Sequence, residues 1–184
     1  MSLRVIAGIA RGRKLKSVPG DTTRPVMDRV KEALFNILAD DVIDSNWWDL
    51  FGGTGAIGIE ALSRGAAFVR FSDLNRAPIE TIKENVEHCR FEKQTEIRRG
   101  DAFKMLTAQA DKKFEYLYIA PPQYKQMWSA ALKLIDDNMG WLTEDGTVIV
   151  QIDPKEYEKI ELKNLVEGDR RKYGSTLLIF YDRP

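Results

Sequence analysis

Three aspartates, each following a stretch that reads as a strand, are the residues best placed to do chemistry: Asp49, Asp73 and Asp101. Asp49 ends Asn46-Trp47-Trp48-Asp49 and leads into Leu50-Phe51-Gly52-Gly53-Thr54-Gly55. Ile57, Ala61 and Leu62 then recur at helical spacing, so the pattern is strand, glycine turn, helix. Glycines there permit positive φ and close approach of a ligand to the main chain. The N–H groups of the following helix's first turn point at that ligand. Such a unit makes a nucleotide or nucleoside pocket. Gly53, Gly55 and Gly58 satisfy G-x-G-x-x-G, and Asp73 follows at about the 20-residue spacing of a ribose-binding acid. A nicotinamide oxidoreductase is therefore a competitor. Asp49 weighs against it, because a carboxylate facing the turn repels a pyrophosphate. It suits a ligand that carries an ammonium group and no phosphate, and S-adenosylmethionine is such a ligand. The plainer role for Asp49 is to cap a turn.

The other two aspartates extend the same crevice. Ala66 to Ser72 reads as a second strand ending at Asp73, whose carboxylate can accept both ribose hydroxyls. Thr95 to Arg99 reads as a third strand, followed by Gly100 and Asp101. Asp101 can accept from an adenine amino group, with Ala102 and Phe103 lying against the ring. Its alternative role is to cap the helix from Ala102 to Ala108, since aspartate is a preferred N-cap. Phe114 to Ile119 is apolar enough for a central strand. Ala120-Pro121-Pro122-Gln123-Tyr124 follows, and two prolines hold the backbone extended there. They aim the Pro121 carbonyl and its neighbours into the crevice at the carboxyl ends of the strands.

These residues need a scaffold, and the chain is long enough to supply one. At 184 residues and 43% hydrophobic, it suits one α/β domain with a small appendage. The charges are unevenly placed although they sum to zero. Arg4, Arg11, Arg13, Lys14, Lys16, Arg24, Arg29 and Lys31 face only Asp21 and Asp28 in the first 31 residues, a local excess of +6. That asymmetry suggests a polyanion-binding arm, against the simpler alternative of a solvated hairpin. Residues 3 to 18 alternate loosely as a twisted hairpin, which gives an arm over 1–22 and a main domain over 23–184. A helix then starts near Pro25, with Met27, Val30, Leu34 and Ile37 or Leu38 on one face. Further helices are expected over Pro78 to Val86 and Met127 to Asn138. Gly65 is a plausible helix cap. Gly146 to Ile152 reads as a fifth strand, and Ile160 to Val166 with Gly174 to Tyr181 as a closing antiparallel pair. Cys89 is the sole cysteine and His88 the sole histidine. The two read as ordinary helix residues, no metal is expected, and a reducing cytoplasmic setting fits. No run approaches the length of a transmembrane helix, so no membrane partner is expected.

The chain resembles the bacterial 16S rRNA guanine-N2 methyltransferases and their relatives in cyanobacteria and plastids. The likeness runs through Arg4-Val5-Ile6-Ala7-Gly8, Arg11-Gly12-Arg13-Lys14-Leu15 and Arg24-Pro25-Val26-Met27-Asp28-Arg29-Val30-Lys31-Glu32-Ala33-Leu34-Phe35-Asn36. It continues through Asp49-Leu50-Phe51-Gly52-Gly53-Thr54-Gly55, Glu60-Ala61-Leu62-Ser63-Arg64-Gly65-Ala66 and Tyr173-Gly174-Ser175-Thr176. The resemblance implies a class I methyltransferase (Rossmann-like) fold: a seven-stranded, mostly parallel sheet with the last strand antiparallel, plus an N-terminal β-hairpin. It implies S-adenosylmethionine in the crevice, with Asp49, Phe51, Gly53, Thr54 and Gly55 toward the methionine end. Asp73 then takes the ribose, and Asp101 and Ala102 the adenine. It implies small-subunit rRNA or the assembling 30S particle as partner, with Arg11, Arg13, Lys14, Arg24 and Arg29 on phosphates.

One departure bears on the chemistry. The family normally carries Asp or Asn, then Pro-Pro, then Tyr or Phe. Here Ala120 stands in the acidic place and Gln123 in the aromatic one. A guanine amine is a weak nucleophile because its lone pair is delocalised into the ring. An acid oxygen and the first proline's carbonyl accept its two N–H bonds, while the aromatic residue stacks on the flipped base. With Ala120 present, the implied roles fall to the Pro121 carbonyl as acceptor and to Tyr124 or Gln123 as holders of the base. Losing one such acceptor costs about 10²- to 10³-fold in rate, by analogy with oxyanion-hole donors. A chain that binds cofactor and RNA in ribosome assembly, with little or no turnover, is the alternative expectation.

Overall fold

A computed structural model describes residues 3–20, 28–123 and 126–184. The expected helix start at Pro25, with Met27, lies outside the described residues, as do Arg24 and Tyr124. In chain order the elements are α1 (Asp28–Leu38), β1 (Asn46–Asp49), α2 (Ala56–Ser63), β2 (Phe68–Asp73), α3 (Arg76–His88) and β3 (Thr95–Arg99). Then come α4 (Ala102–Thr107), β4 (Phe114–Ile119), α5 (Met127–Asp137), β5 (Leu142–Ile152), β6 (Val166–Tyr173) and β7 (Thr176–Asp182). One seven-stranded sheet runs in the order β3-β2-β1-β4-β5-β7-β6. Neighbours pair in parallel, except that β7 is antiparallel to both β5 and β6.

Alternation along the strands divides the core between the two faces. Trp47, Phe71, Tyr118 and Ile149 face α1, α2 and α3. Trp48, Leu117, Val148 and Val150 face α4 and α5. Both faces are covered, so the central strands carry near-continuous apolar runs. Trp47 lies between Phe35 and Tyr116, with ring centroids at 5.6 and 4.7 Å. Such aromatic pairs contribute about 0.5–1.5 kcal/mol each beyond their burial.

The N-terminal hairpin carries a single bridge pair, Arg4 with Lys14. It is held instead by its docking. Leu3, Val5, Ala10 and Leu15 are buried in the first core cluster. The Glu60 carboxylate accepts from the Ile6 and Ala7 amides at 2.9 and 3.1 Å, and from Arg64 Nε at 2.8 Å. Lys31 Nζ stands 3.3 Å from the same carboxylate, and both side chains are fully buried. Ser63 Oγ donates to the Ala7 carbonyl and accepts from the Ala10 amide.

The closing pair of strands differs from the sequence expectation. Residues 160–165 are not strand, and the edge strand is Val166–Tyr173. Ile160, Leu162 and Leu165 do pack on the second core, which explains the apolar pattern. Their backbone is diverted, because the Lys163, Asn164 and Leu165 amides donate to the buried Asp136 carboxylate at 2.7–2.9 Å. The true edge strand is polar because it faces solvent along most of its length. Other boundaries move by a few residues: β5 begins at Leu142 rather than Gly146, and α3 spans Arg76–His88 rather than Pro78 to Val86.

Candidate active site

The connections leave β1 in one direction, through β2 to β3, and leave β4 in the other. A crevice therefore opens at the carboxyl ends of β1 and β4, the switch point of the sheet. The register sets its depth. Asp49 is level with Tyr118, so the glycine turn and the Ala120–Gln123 segment leave the sheet side by side.

The glycine turn is shaped by its backbone. Gly53 and Gly55 have φ of +57° and +82°, which side-chain-bearing residues rarely adopt. A Cβ on Gly53 would meet nothing within 4 Å, so open space lies beside it. A Cβ on Gly58 would sit 2.3 Å from the Phe71 ring, so this third glycine serves close helix–strand packing and not ligand approach. Thr54 Oγ1 accepts from the Ala56 amide at 3.3 Å. Phe51 meets Phe103 edge to face at 6.0 Å, which lines the crevice with two half-buried rings.

Asp49 is the chemically exposed member despite its burial. Its side chain is 2% exposed, and Oδ1 has no hydrogen-bond partner. Burial raises its pKa to about 8, helped by the nearby Asp73 charge and opposed by a hydrogen bond from the Gly58 amide. A buried carboxyl oxygen without a partner is a costly feature, and a cationic group placed against it removes the cost. Asp73 Oδ2 accepts from the Gly53 amide and Oδ1 from the Asn75 amide, both at 3.1 Å. Each oxygen keeps a further lone pair for a hydroxyl. Asp101 caps α4, with Oδ1 accepting from the Phe103 amide at 2.9 Å, and its other oxygen remains. Ala102 is buried below it. The capping role is thus real, and it leaves room for the ligand role. Pro121 is half-buried at the mouth, while Gln123 is exposed.

The basic residues fall into two groups. Arg11 and Lys14 are exposed and make no ion pair among the described residues. Arg13 Nη1 donates to the His88 carbonyl at 2.8 Å, and Arg29 lies over the Tyr173 ring at 6.0 Å.

Three crevice-side residues were not singled out from sequence. Asn85 is buried, and its amide donates to the Lys16 and Thr54 carbonyls while its oxygen accepts from the Lys16 amide. Tyr118 is buried beside Asp49, and its hydroxyl donates to Gln151 Oε1. A polar residue inside an apolar strand or on a helix's buried stripe is the only local signal for any of the three.

The sheet order, the single reversed strand, the glycine turn and the acids ending β1 and β2 and following β3 together define the class I S-adenosylmethionine-dependent methyltransferase fold. Similarity to known proteins narrows this. The chain belongs to the family described as conserved hypothetical protein 95, whose model matches residues 3–182. It is 37% identical over 184 residues to "Putative rRNA methyltransferase YlbH" of Bacillus subtilis, covering 98% of this chain and 99% of that one. It is 33% identical over 149 residues to ribosomal RNA small subunit methyltransferase D of Escherichia coli K12, covering 81% of this chain and 74% of that one. The solved structure named "Putative methyltransferase yhhF from Escherichia coli" superposes with a TM-score of 0.86 at 28% identity, covering 100% and 98% of the two chains.

Proposed function

We propose that this chain transfers a methyl group from S-adenosylmethionine to an exocyclic amine of small-subunit ribosomal RNA, and that the amine is N2 of a guanine. The names of its relatives support the RNA class, and the family resemblance supports the guanine amine. The observation that carries the cofactor assignment is the orphaned Asp49 Oδ1 beside the open space at Gly53. A ligand with an ammonium group and no phosphate fits that pair, and a pyrophosphate does not. When bound, S-adenosylmethionine supplies an electrophilic methyl on a sulfonium.

The chain's own residues then position and screen. Asp49 holds the ammonium end, the Gly53–Gly55 backbone lies along the methionine portion, and Asp73 accepts from the ribose. Asp101 accepts from the adenine amine through its free oxygen, above Ala102. Pro121 presents its carbonyl to one N–H of the target amine, which draws the lone pair out of the ring. Tyr124 or Gln123 holds the base. Proximity does most of the work, with no covalent enzyme intermediate. Arg11, Arg13, Lys14, Arg24 and Arg29 contact phosphates. No described helix is long and apolar enough to cross a membrane.

Methyl transfer to unmodified small-subunit RNA, and separately to 30S particles, tests this reading; silence on both overturns it. Ala120 favours one second reading, a protein that binds cofactor and RNA without turnover. Cofactor titration with salt-sensitive RNA binding and no product would favour it.

A further inference from the structure

The acid expected before Pro121 is absent, and one polar side chain stands beside that position. Ile119 is level with Val150 in the β4–β5 ladder, so Ala120 and Gln151 are the next neighbours across the two strands. Side chains alternate along each strand, and Tyr118 and Ala120 both pack on the first face. Gln151 shares that face, because its Oε1 accepts from the Tyr118 hydroxyl. Tyr118 is in turn level with Asp49. A line of polar groups thus runs from the cofactor-side carboxyl to the residue beside Ala120.

The line has a direction. The Tyr118 hydroxyl donates to Gln151 Oε1, and burial, with Asp49 close by, keeps that hydroxyl protonated well above the usual phenol range. The Gln151 oxygen is therefore turned inward. Its nitrogen, with two N–H groups, finds no acceptor among the described residues, and the side chain is half-buried. Position 120 is the next rung beside Gln151, and alanine there offers those N–H groups no acceptor.

We propose that Gln151 is a base-positioning residue, whose outward amide N–H groups donate to the ring nitrogen that flanks the target amine. The inference rests on the amine-methylation reading above and deepens it. An exocyclic amine beside an unprotonated ring nitrogen presents a donor and an acceptor on one edge. The Pro121 carbonyl takes the donor and Gln151 serves the acceptor. In guanine the two atoms are N2 and N3. The pairing rejects bases that lack such an edge, because Gln151 and Pro121 would then be left unmatched.

The test compares Gln151→Ala with Gln151→Glu by steady-state methylation of unmodified small-subunit RNA. S-adenosylhomocysteine affinity and thermal stability are measured beside it. Glutamate has nearly the same shape and still accepts from Tyr118, so a purely structural role predicts near-wild-type rates. A donor role predicts the reverse, since an oxygen would face the ring nitrogen's lone pair. We expect kcat/KM to fall about tenfold for Gln151→Ala, the size of one net hydrogen bond. For Gln151→Glu the fall should be at least as large, with cofactor affinity unchanged in both. Tyr118→Phe should give a smaller loss by freeing the amide to rotate. Gln151→Glu within twofold of wild type overturns the inference, and so does loss of S-adenosylhomocysteine binding in that variant. A wild-type protein silent on RNA overturns the function itself, whereas an active one indifferent to Gln151→Glu overturns only this proposal.

Discussion

The seam between the N-terminal arm and α2–α3 is as polar as the crevice, but its polar groups are used up. Glu60 engages two amides and two cations, Ser63 both donates and accepts, and Asn85 satisfies three main-chain groups. In the crevice, by contrast, Asp49 Oδ1 has no partner, and the half-buried Gln151 accepts from Tyr118 while its amide nitrogen meets no acceptor among the described residues. A buried polar group with all its bonds made holds the fold, whereas the unmatched Asp49 oxygen, at the switch point of the sheet, is placed to meet a ligand.

The largest expected effect lies at the seam. Glu60→Ala leaves Lys31 buried without its counter-charge and two amides without an acceptor. Removing one partner of a buried pair costs about 3–5 kcal/mol. Denaturant unfolding should show a loss in that range. A loss below about 1 kcal/mol would mean that the arm is not held as described.

The opposite response is expected in the crevice. Asp49→Asn should weaken S-adenosylhomocysteine binding about tenfold or more, by removing the counter-charge of the ammonium, without a comparable loss of stability. The pH dependence gives the sign. Asp49 titrates near 3.8 when unfolded and about 8 when folded. Between those values the folded state binds more protons, so this group's contribution to stability falls as pH rises from about 4 to 8. Cofactor affinity should move the other way and strengthen through the same window, because the cation selects the ionised carboxylate. Titration calorimetry at pH 6 and pH 8 measures this. Asp49→Asn should flatten both dependences, and a wild-type affinity independent of pH would separate Asp49 from the ammonium.

Asn85 joins the two regions. It ties Lys16, at the end of the arm, to the Thr54 carbonyl of the glycine turn. Asn85→Asp removes both N–H donors while keeping the shape, and should cost about 1–3 kcal/mol by leaving buried carbonyls unpaired. If the tie also sets the turn, cofactor affinity falls with it. Stability loss with unchanged affinity would confine Asn85 to the seam.

Sequence reading reached the crevice more fully than the seam, and the reason is distance along the chain. The glycine turn and Asp73 announce themselves within a few residues of an apolar run, and Asp101 as an N-cap type just ahead of a helical pattern. The Glu60 clamp joins residues more than 50 positions apart, between Ile6 and Glu60, and no local pattern reports it. Gln151 was hidden differently. It lies inside a strand found correctly by its apolar content, but its relation to Ala120 exists only once the β4–β5 register is known. Val166–Tyr173 was missed because an edge strand in solvent has the composition of a turn, and residues 160–165 misled because they are apolar and buried without being paired.

The smallest effects should come from the arm's outer face. There the contrast between occupied and free groups applies to charges. Lys16 is paired with Glu84 at 2.6 Å and Arg4 with Asp28 at 3.3 Å, while Arg11 and Lys14 have no such partner among the described residues. Exposed pairs contribute little to stability, so none of the four should matter by more than about 1 kcal/mol when changed. RNA binding should separate them. A free cation that meets a phosphate releases a counterion, so Arg11→Ala and Lys14→Ala should each lower the slope of log affinity against log salt by about 0.7–0.9. Lys16→Ala should lower it less, because its ammonium already has a carboxylate. Equal changes at all three positions would show that pairing in the free protein does not decide which cations meet the RNA. No change at Arg11 and Lys14 would remove the arm's outer face from the RNA-binding surface.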